Sequence, residues 1–145
     1  MRDMPDTLQR AQRQLTAHHY RLTAQRRDVL ALLAAHRNRH WSAEQICDAL
    51  RDQGASDLSL ATVYRTLALL EELRLVHRLD AGDGINRYSI GSAGPHAHWV
   101  CLGCKKVVDG AVPEVRMPQH PVGFEVVEQS LVYYGYCNTC QRERR

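Results

Sequence analysis

No stretch of this 145-residue chain approaches the ~18 consecutive apolar residues that a membrane-spanning helix needs, which excludes an integral helical membrane protein. The N-terminus has no apolar core either. Met1 to Thr16 is polar and carries acids among its arginines, so no secretory signal is expected and a cytoplasmic location follows. There is no internal repeat and no low-complexity tract. The length excludes a large multidomain enzyme but suffices for one good core or two small ones. Nothing resembles a general base placed beside an open metal, so a metallohydrolase has little support.

What is present is unevenly distributed. The formal net charge is +3, yet residues 1–27 hold six arginines (Arg2, Arg10, Arg13, Arg21, Arg26, Arg27) against Asp3 and Asp6, a local sum of +4. The remainder therefore sums to −1. A basic arm beside a nearly neutral body fits a local nucleic-acid contact, although a solvated helix face has the same composition.

The first half carries helical periodicity. Leu8, Ala11 and Leu15 recur at helix spacing, and Thr23 is placed to cap a second helix with Val29, Leu30 and Leu33 on its apolar face. Ser42-Ala-Glu-Gln45 is a capping-box pattern that starts a third, with Ile46, Ala49 and Leu50 inward and Gly54 placed to end it. A fourth is expected from Ser59 to about Leu73. Its stripe of Val63, Leu67 and Leu70 faces the core, Thr62, Arg65 and Thr66 lie opposite, and Tyr64 sits near the boundary. The period then changes to that of strands, Leu75 to Asp80 and Ile85 to Ile90, around the tight-turn composition Ala81-Gly-Asp-Gly84. Helices followed by a hairpin in this order predict a winged helix-turn-helix.

Gly91 to Pro95 has linker composition. Beyond it strands are expected at His98 to Leu102, Lys106 to Asp109 and Phe124 to Tyr136, with Pro113, Pro118 and Pro121 breaking the interval. About 50 residues bury too little to hold together alone, so this half needs a staple, a partner or both.

Five cysteines supply the staple. Cys101-Leu-Gly-Cys104 and Cys137-Asn-Thr-Cys140 are two short turns, each bringing two thiolates to one side, and four sulfurs suit the tetrahedral preference of Zn²⁺. The alternatives are a redox dithiol, as in a thiol oxidoreductase, and an iron-sulfur or rubredoxin-like centre. Four thiolates close the metal's shell, which argues against a catalytic zinc. Cys47, among Ile46, Ala49 and Leu50, reads as a buried small hydrophobe. His96-Ala-His98 in an extended segment can aim two imidazoles at one ion, and Asp109 on the next strand can add an oxygen.

Four segments taken together, Arg21-Leu-Thr-Ala-Gln-Arg26, His40-Trp-Ser-Ala-Glu44, Leu60-Ala-Thr-Val-Tyr-Arg-Thr-Leu67 and His96-Ala-His-Trp-Val-Cys-Leu-Gly-Cys104, resemble the ferric uptake regulator family of metal-responsive, dimeric bacterial repressors. The resemblance runs from about Tyr20 to Cys140. It implies an α+β chain: a winged helix-turn-helix DNA-binding domain over residues 1–90, a linker over 91–95, and a small α/β dimerisation domain over 96–145 bearing a structural zinc site made of four cysteines. By motif, zinc falls on Cys101, Cys104, Cys137 and Cys140. A second, regulatory divalent metal, Fe²⁺, Mn²⁺ or Zn²⁺, falls on His40, His96, His98 and Asp109. DNA contacts fall on Tyr64 and Arg65, with Thr62 and Ser59 beside them and Arg21 at the position that reaches the minor groove. The implied partners are a second copy of the chain and double-stranded DNA with an inverted-repeat operator.

The departures from the family concern the metal. Ser89 stands where iron and peroxide sensors place a carboxylate, and a neutral hydroxyl is a much poorer ligand. His77 is the alternative, since it stands where zinc sensors place an Asp or His. Pro95, Ala97 and Gln129 occupy ligand positions of a further site, so that site is expected to be absent or altered. The implied function is a metal-dependent repressor of metal-uptake genes, with a peroxide-sensing repressor of the same family as the alternative, and no enzymatic activity.

Overall fold

The computed structural model describes residues 3–90, 96–111, 121–126 and 131–145. The expected linker, residues 91–95, lies outside them, as do Pro113, Pro118 and Gln129. The chain divides into two compact units, Met1–Gly91 and Ser92–Arg145.

The first unit runs α1 (Asp3–Ala17), α2 (Ala24–Ala35), β1 (Trp41–Ser42), α3 (Ala43–Asp52), α4 (Leu60–Glu72), β2 (His77–Asp80) and β3 (Asn86–Ser89). Each interior helix begins where its sequence dictates. Thr23 Oγ1 accepts from the Arg26 amide, and Ser59 Oγ accepts from the Thr62 amide. Ser42 and Gln45 form the full reciprocal capping box at the start of α3. Val29, Leu30, Leu33, Ile46, Val63, Leu67 and Leu70 are all fully buried in one core. Thr66 is buried with them at 7 % exposure and does not lie on the outer side of α4. It sits three residues after Val63, on the same stripe, so helical geometry overrides its polarity.

Trp41 and Ser42 add a strand that the sequence reading lacks. They pair antiparallel with Tyr88 and Arg87, giving a three-stranded sheet in the order β1-β3-β2. The β2–β3 hairpin is the expected wing. At its tip Arg87 grips Asp83 through two hydrogen bonds of 3.0 and 2.8 Å, and the guanidinium holds the Asp83 carboxyl far below the usual carboxylate range.

The second unit runs β4 (His96–Cys101), β5 (Val107–Ala111), β6 (Leu131–Gly135) and α5 (Asn138–Glu143). Its sheet has the order β5-β4-β6, with β4 antiparallel to β5 and parallel to β6. Two expectations need correction. Residues 124–126 are irregular and exposed, so among the described residues the last strand is the shorter Leu131–Gly135. Phe124-Glu125-Val126 alternates as a strand would, but a strand also needs a paired neighbour, and none pairs with these three among the described residues. The tail forms α5, a helix too short for a periodic signal. Few described residues of this unit are buried, chiefly Ala97, His98, Val100, Cys101 and Cys140. Trp99 stacks on Tyr133 at 5.2 Å on an exposed face of the sheet. Among the described residues, no helix is long and apolar enough to cross a membrane.

Candidate metal centre and nucleic-acid interface

Parallel pairing of β4 with β6 delivers both cysteine pairs to one end of the sheet. Cys101 closes β4 opposite Gly135, the last residue of β6, and Cys137 follows two positions later. The Leu102 amide donates to the Gly135 carbonyl at 2.7 Å and ties the strand ends together. The first pair then folds back, with the Lys105 amide donating to the Cys101 carbonyl at 2.9 Å and Lys105 itself left-handed at φ 62°. The second pair straddles the start of α5, Cys137 at its cap and Cys140 within its first turn. Gly103 makes the approach possible: a Cβ there would stand 2.8 Å from Cys140 Sγ.

The four sulfurs lie within 4.8 Å of one another, and Cys104 Sγ is 3.9 Å from Cys137 Sγ. A tetrahedron with metal–sulfur bonds of ~2.3 Å has edges of ~3.8 Å, so the spacing fits one zinc ion. None of the five cysteines is in a disulfide. The thiols are already differentiated. Hydrogen bonds from the Cys137 and Cys104 amides hold Cys101 down at about 6, and the Cys140 amide lowers Cys137. Cys140 is pushed up to about 12, because its proton is shared with the Cys101 and Cys137 sulfurs. Sulfurs this close shed their last proton only with a cation among them, which a bound divalent metal provides. Cys47 is apart from this chemistry, buried in the first unit with its Sγ 3.7 Å from the Leu58 carbonyl.

The candidate regulatory residues occur in both units. In the second, His98 and Asp109 are direct cross-strand partners, and His98 Nδ1 meets Asp109 Oδ1 at 2.7 Å. An Nδ1–H donated to that carboxylate leaves the ring's lone pair on Nε2, one of the two nitrogens through which an imidazole can hold a metal. His96 opens the same strand, two positions earlier. In the first unit, half-buried His40 immediately precedes β1. His77 and Ser89 are also cross-strand partners, on β2 and β3, with Ser89 buried at 4 % exposure. The two alternatives for a further ligand thus occupy facing positions.

The nucleic-acid candidates gather on one helix and one loop. Tyr64 and Arg65 project from α4 and are exposed. Ser59 and Thr62 are partly committed to the helix itself: Ser59 caps α4, its hydroxyl lies 2.8 Å from that of Thr62, and Thr62 Oγ1 accepts from Arg65 Nη2 at 3.3 Å. Arg21 is exposed in the loop before α2, where Arg26 donates to its carbonyl and lies over the Tyr20 ring at 5.6 Å. A groove of about 540 Å³ separates Tyr20 and Arg26 from Thr62 and Arg65. The sequence reading misses Arg26 as the brace of Arg21. It also misses Glu44, whose carboxylate accepts the Tyr64 hydroxyl proton at 2.9 Å. No spacing rule connects residues 20 apart on different helices.

The family model described as the ferric uptake regulator family matches residues 17–134. The chain belongs to the ferric uptake regulator family. The ferric uptake regulation protein of Bacillus subtilis is 32 % identical over 94 % of this chain and 96 % of its own length. The peroxide-responsive repressor of Staphylococcus aureus is 31 % identical over 83 % of this chain and 82 % of its own. Among solved structures, the ferric uptake regulator of Pseudomonas aeruginosa with manganese superposes with a TM-score of 0.69 at 32 % identity, covering 86 % of this chain and 95 % of that one. Family members of this kind are metal-responsive transcriptional repressors, and their two-part α+β architecture is the one observed here.

Proposed function

We propose that this family member represses transcription by binding an inverted-repeat operator as a homodimer when a regulatory divalent metal is bound. The observation that carries this reading is the His98–Asp109 pair, a ring held by a carboxylate in the orientation a metal-binding imidazole needs. The first unit supplies DNA recognition through Tyr64, Arg65 and Arg21, with Thr62 and Ser59 shaping the start of α4. The second unit supplies dimerisation, in keeping with its small described core, and Cys101, Cys104, Cys137 and Cys140 hold the structural zinc. The regulatory set is His40, His96, His98 and Asp109, completed by His77 or Ser89, for Fe²⁺, Mn²⁺ or Zn²⁺.

Metal supply then shifts the chain between DNA-incompetent and DNA-competent states. Moving such an equilibrium from mostly incompetent to mostly competent takes ~5.5 kcal/mol of differential affinity, shared between metal and DNA. The chain acts in the cytoplasm and is not an enzyme.

The test is metal content before and after mild chelation, followed by operator binding with each divalent metal restored. The thiolate-held metal stays, the histidine-held metal leaves, and binding returns with the cognate ion. A His96→Ala/His98→Ala variant with wild-type metal response overturns the regulatory assignment. Tyr64→Ala and Arg65→Ala should each weaken operator binding by ~1 to 3 kcal/mol. The peroxide-responsive relative supports a second reading, in which bound Fe²⁺ and peroxide oxidise the ligand histidines. Loss of binding only in the iron form after peroxide singles it out.

A further inference from the structure

Glu44 lies in the first turn of α3 and Tyr64 on α4, both exposed, and the Tyr64 hydroxyl donates to Glu44 Oε1 at 2.9 Å. A phenol has one proton to donate and lone pairs with which to accept. We propose that Glu44 sets the base preference of Tyr64 by occupying its only hydroxyl proton, so that Tyr64 meets DNA as an apolar ring and a hydrogen-bond acceptor, never as a donor. The inference rests on α4 being the recognition helix.

The bond is well secured. Glu44 sits where the helix dipole and nearby amides favour a carboxylate, and its pKa is lowered by backbone hydrogen bonding and by the Tyr64 hydroxyl. The same contact raises the pKa of Tyr64, so the phenol keeps its proton and the carboxylate its charge. Cross-helix pairing therefore persists across the physiological range.

Its consequence follows from the major-groove pattern. Guanine presents only acceptors there, N7 and O6, whereas cytosine presents an amino donor, adenine an amino donor beside N7, and thymine a methyl group beside O4. A tyrosine that cannot donate gains nothing from guanine and sets its own lone pairs against N7 and O6. It retains contact with a thymine methyl and can accept from the amino groups of adenine or cytosine. Glu44 thus acts as a positioning residue for specificity, discriminating against guanine without touching a base.

The experiment is selection of preferred sites from an operator library randomised under α4, using the full metal-loaded chain and its Glu44→Ala, Glu44→Gln and Tyr64→Phe variants. Glu44→Ala should raise the relative affinity of guanine-bearing sites by ~2- to 10-fold, the worth of one hydrogen bond. Glu44→Gln keeps an oxygen acceptor without the charge and should retain the wild-type preference. Tyr64→Phe keeps the ring but loses the acceptor, so it should weaken adenine- and cytosine-bearing sites, and in the Glu44→Ala background it should cancel the guanine gain. The proposal is overturned if Glu44→Ala strengthens all sites equally, which is simple relief of phosphate repulsion, or if Gln behaves as Ala. Tyr64→Ala separates the two levels: unchanged site preference would remove Tyr64 from the interface and overturn the recognition-helix reading together with this one. Operator binding lost in Tyr64→Ala but an unchanged profile in Glu44→Ala would overturn the Glu44 role alone.

Discussion

Asp109 holds the imidazole of His98 across the β4–β5 ladder, Oδ1 to Nδ1 at 2.7 Å. Asp109, itself a proposed ligand, therefore also orients a second proposed ligand, so its replacement should affect the proposed site twice over. Asp109→Asn keeps the shape and a hydrogen bond but loses the charge. Metal affinity at the histidine site should fall ~10- to 100-fold, read as the metal concentration needed for half-maximal operator binding. Zinc held by the cysteines should be unchanged. Wild-type metal dependence would show that Asp109 has no part in the site.

Two cysteine substitutions should give opposite results. Cys101→Ser removes one of four converging sulfurs and should cost zinc retention together with the folded second unit, seen in metal content and loss of the dimer. Cys47→Ala lies in the first unit's core and should lower stability by ~1 to 2 kcal/mol with zinc content unchanged. A stable, zinc-depleted dimer in Cys101→Ser would remove the metal from its structural role.

The sulfur cluster can also be attacked without altering a sulfur. A methyl at position 103 would stand 2.8 Å from Cys140 Sγ and 3.0 Å from its Cβ. Gly103→Ala should cost ~1 to 3 kcal/mol and accelerate zinc loss to a chelator. Retention equal to wild type would mean that the turn relaxes freely.

The wing has its own pH signature. Because Arg87 depresses the Asp83 pKa in the folded state, this pair's contribution is present above the unfolded carboxyl value of ~3.9 and is lost as pH falls through the folded value. Asp83→Asn should lower stability modestly at neutral pH and converge with wild type in strong acid, flattening the acid limb of the stability curve below about pH 4. Denaturant melts of both proteins between neutral and strongly acidic pH decide it, and parallel curves would refute it.

Local signals were readable in proportion to how local their physics is. Caps at Thr23, Ser42 and Ser59 and the stripe through Val63, Leu67 and Leu70 depend on neighbours within one or two turns, and all are where the sequence places them. The cysteine pairs announced a four-sulfur set because each pair is a self-contained turn. What escaped depends on distant partners. Trp41 and Ser42 form a strand only because Tyr88 and Arg87 lie alongside. Phe124-Glu125-Val126 alternates like a strand yet has no strand paired with it among the described residues, and α5 is shorter than two helical turns. The Glu44–Tyr64 link joins two helices whose facing residues no periodicity identifies.

The parallel alignment of β4 and β6 also fixes an order of events during synthesis. Cys137 emerges 36 residues after Cys101, and of the described strands that flank β4, β5 is made before β6. Closing so long a loop is entropically costly and slow compared with forming the β4–β5 pair. With zinc on the four cysteines, as proposed, metal capture comes late in maturation, and a chain made under zinc scarcity should emerge with its first unit complete and its second unsealed.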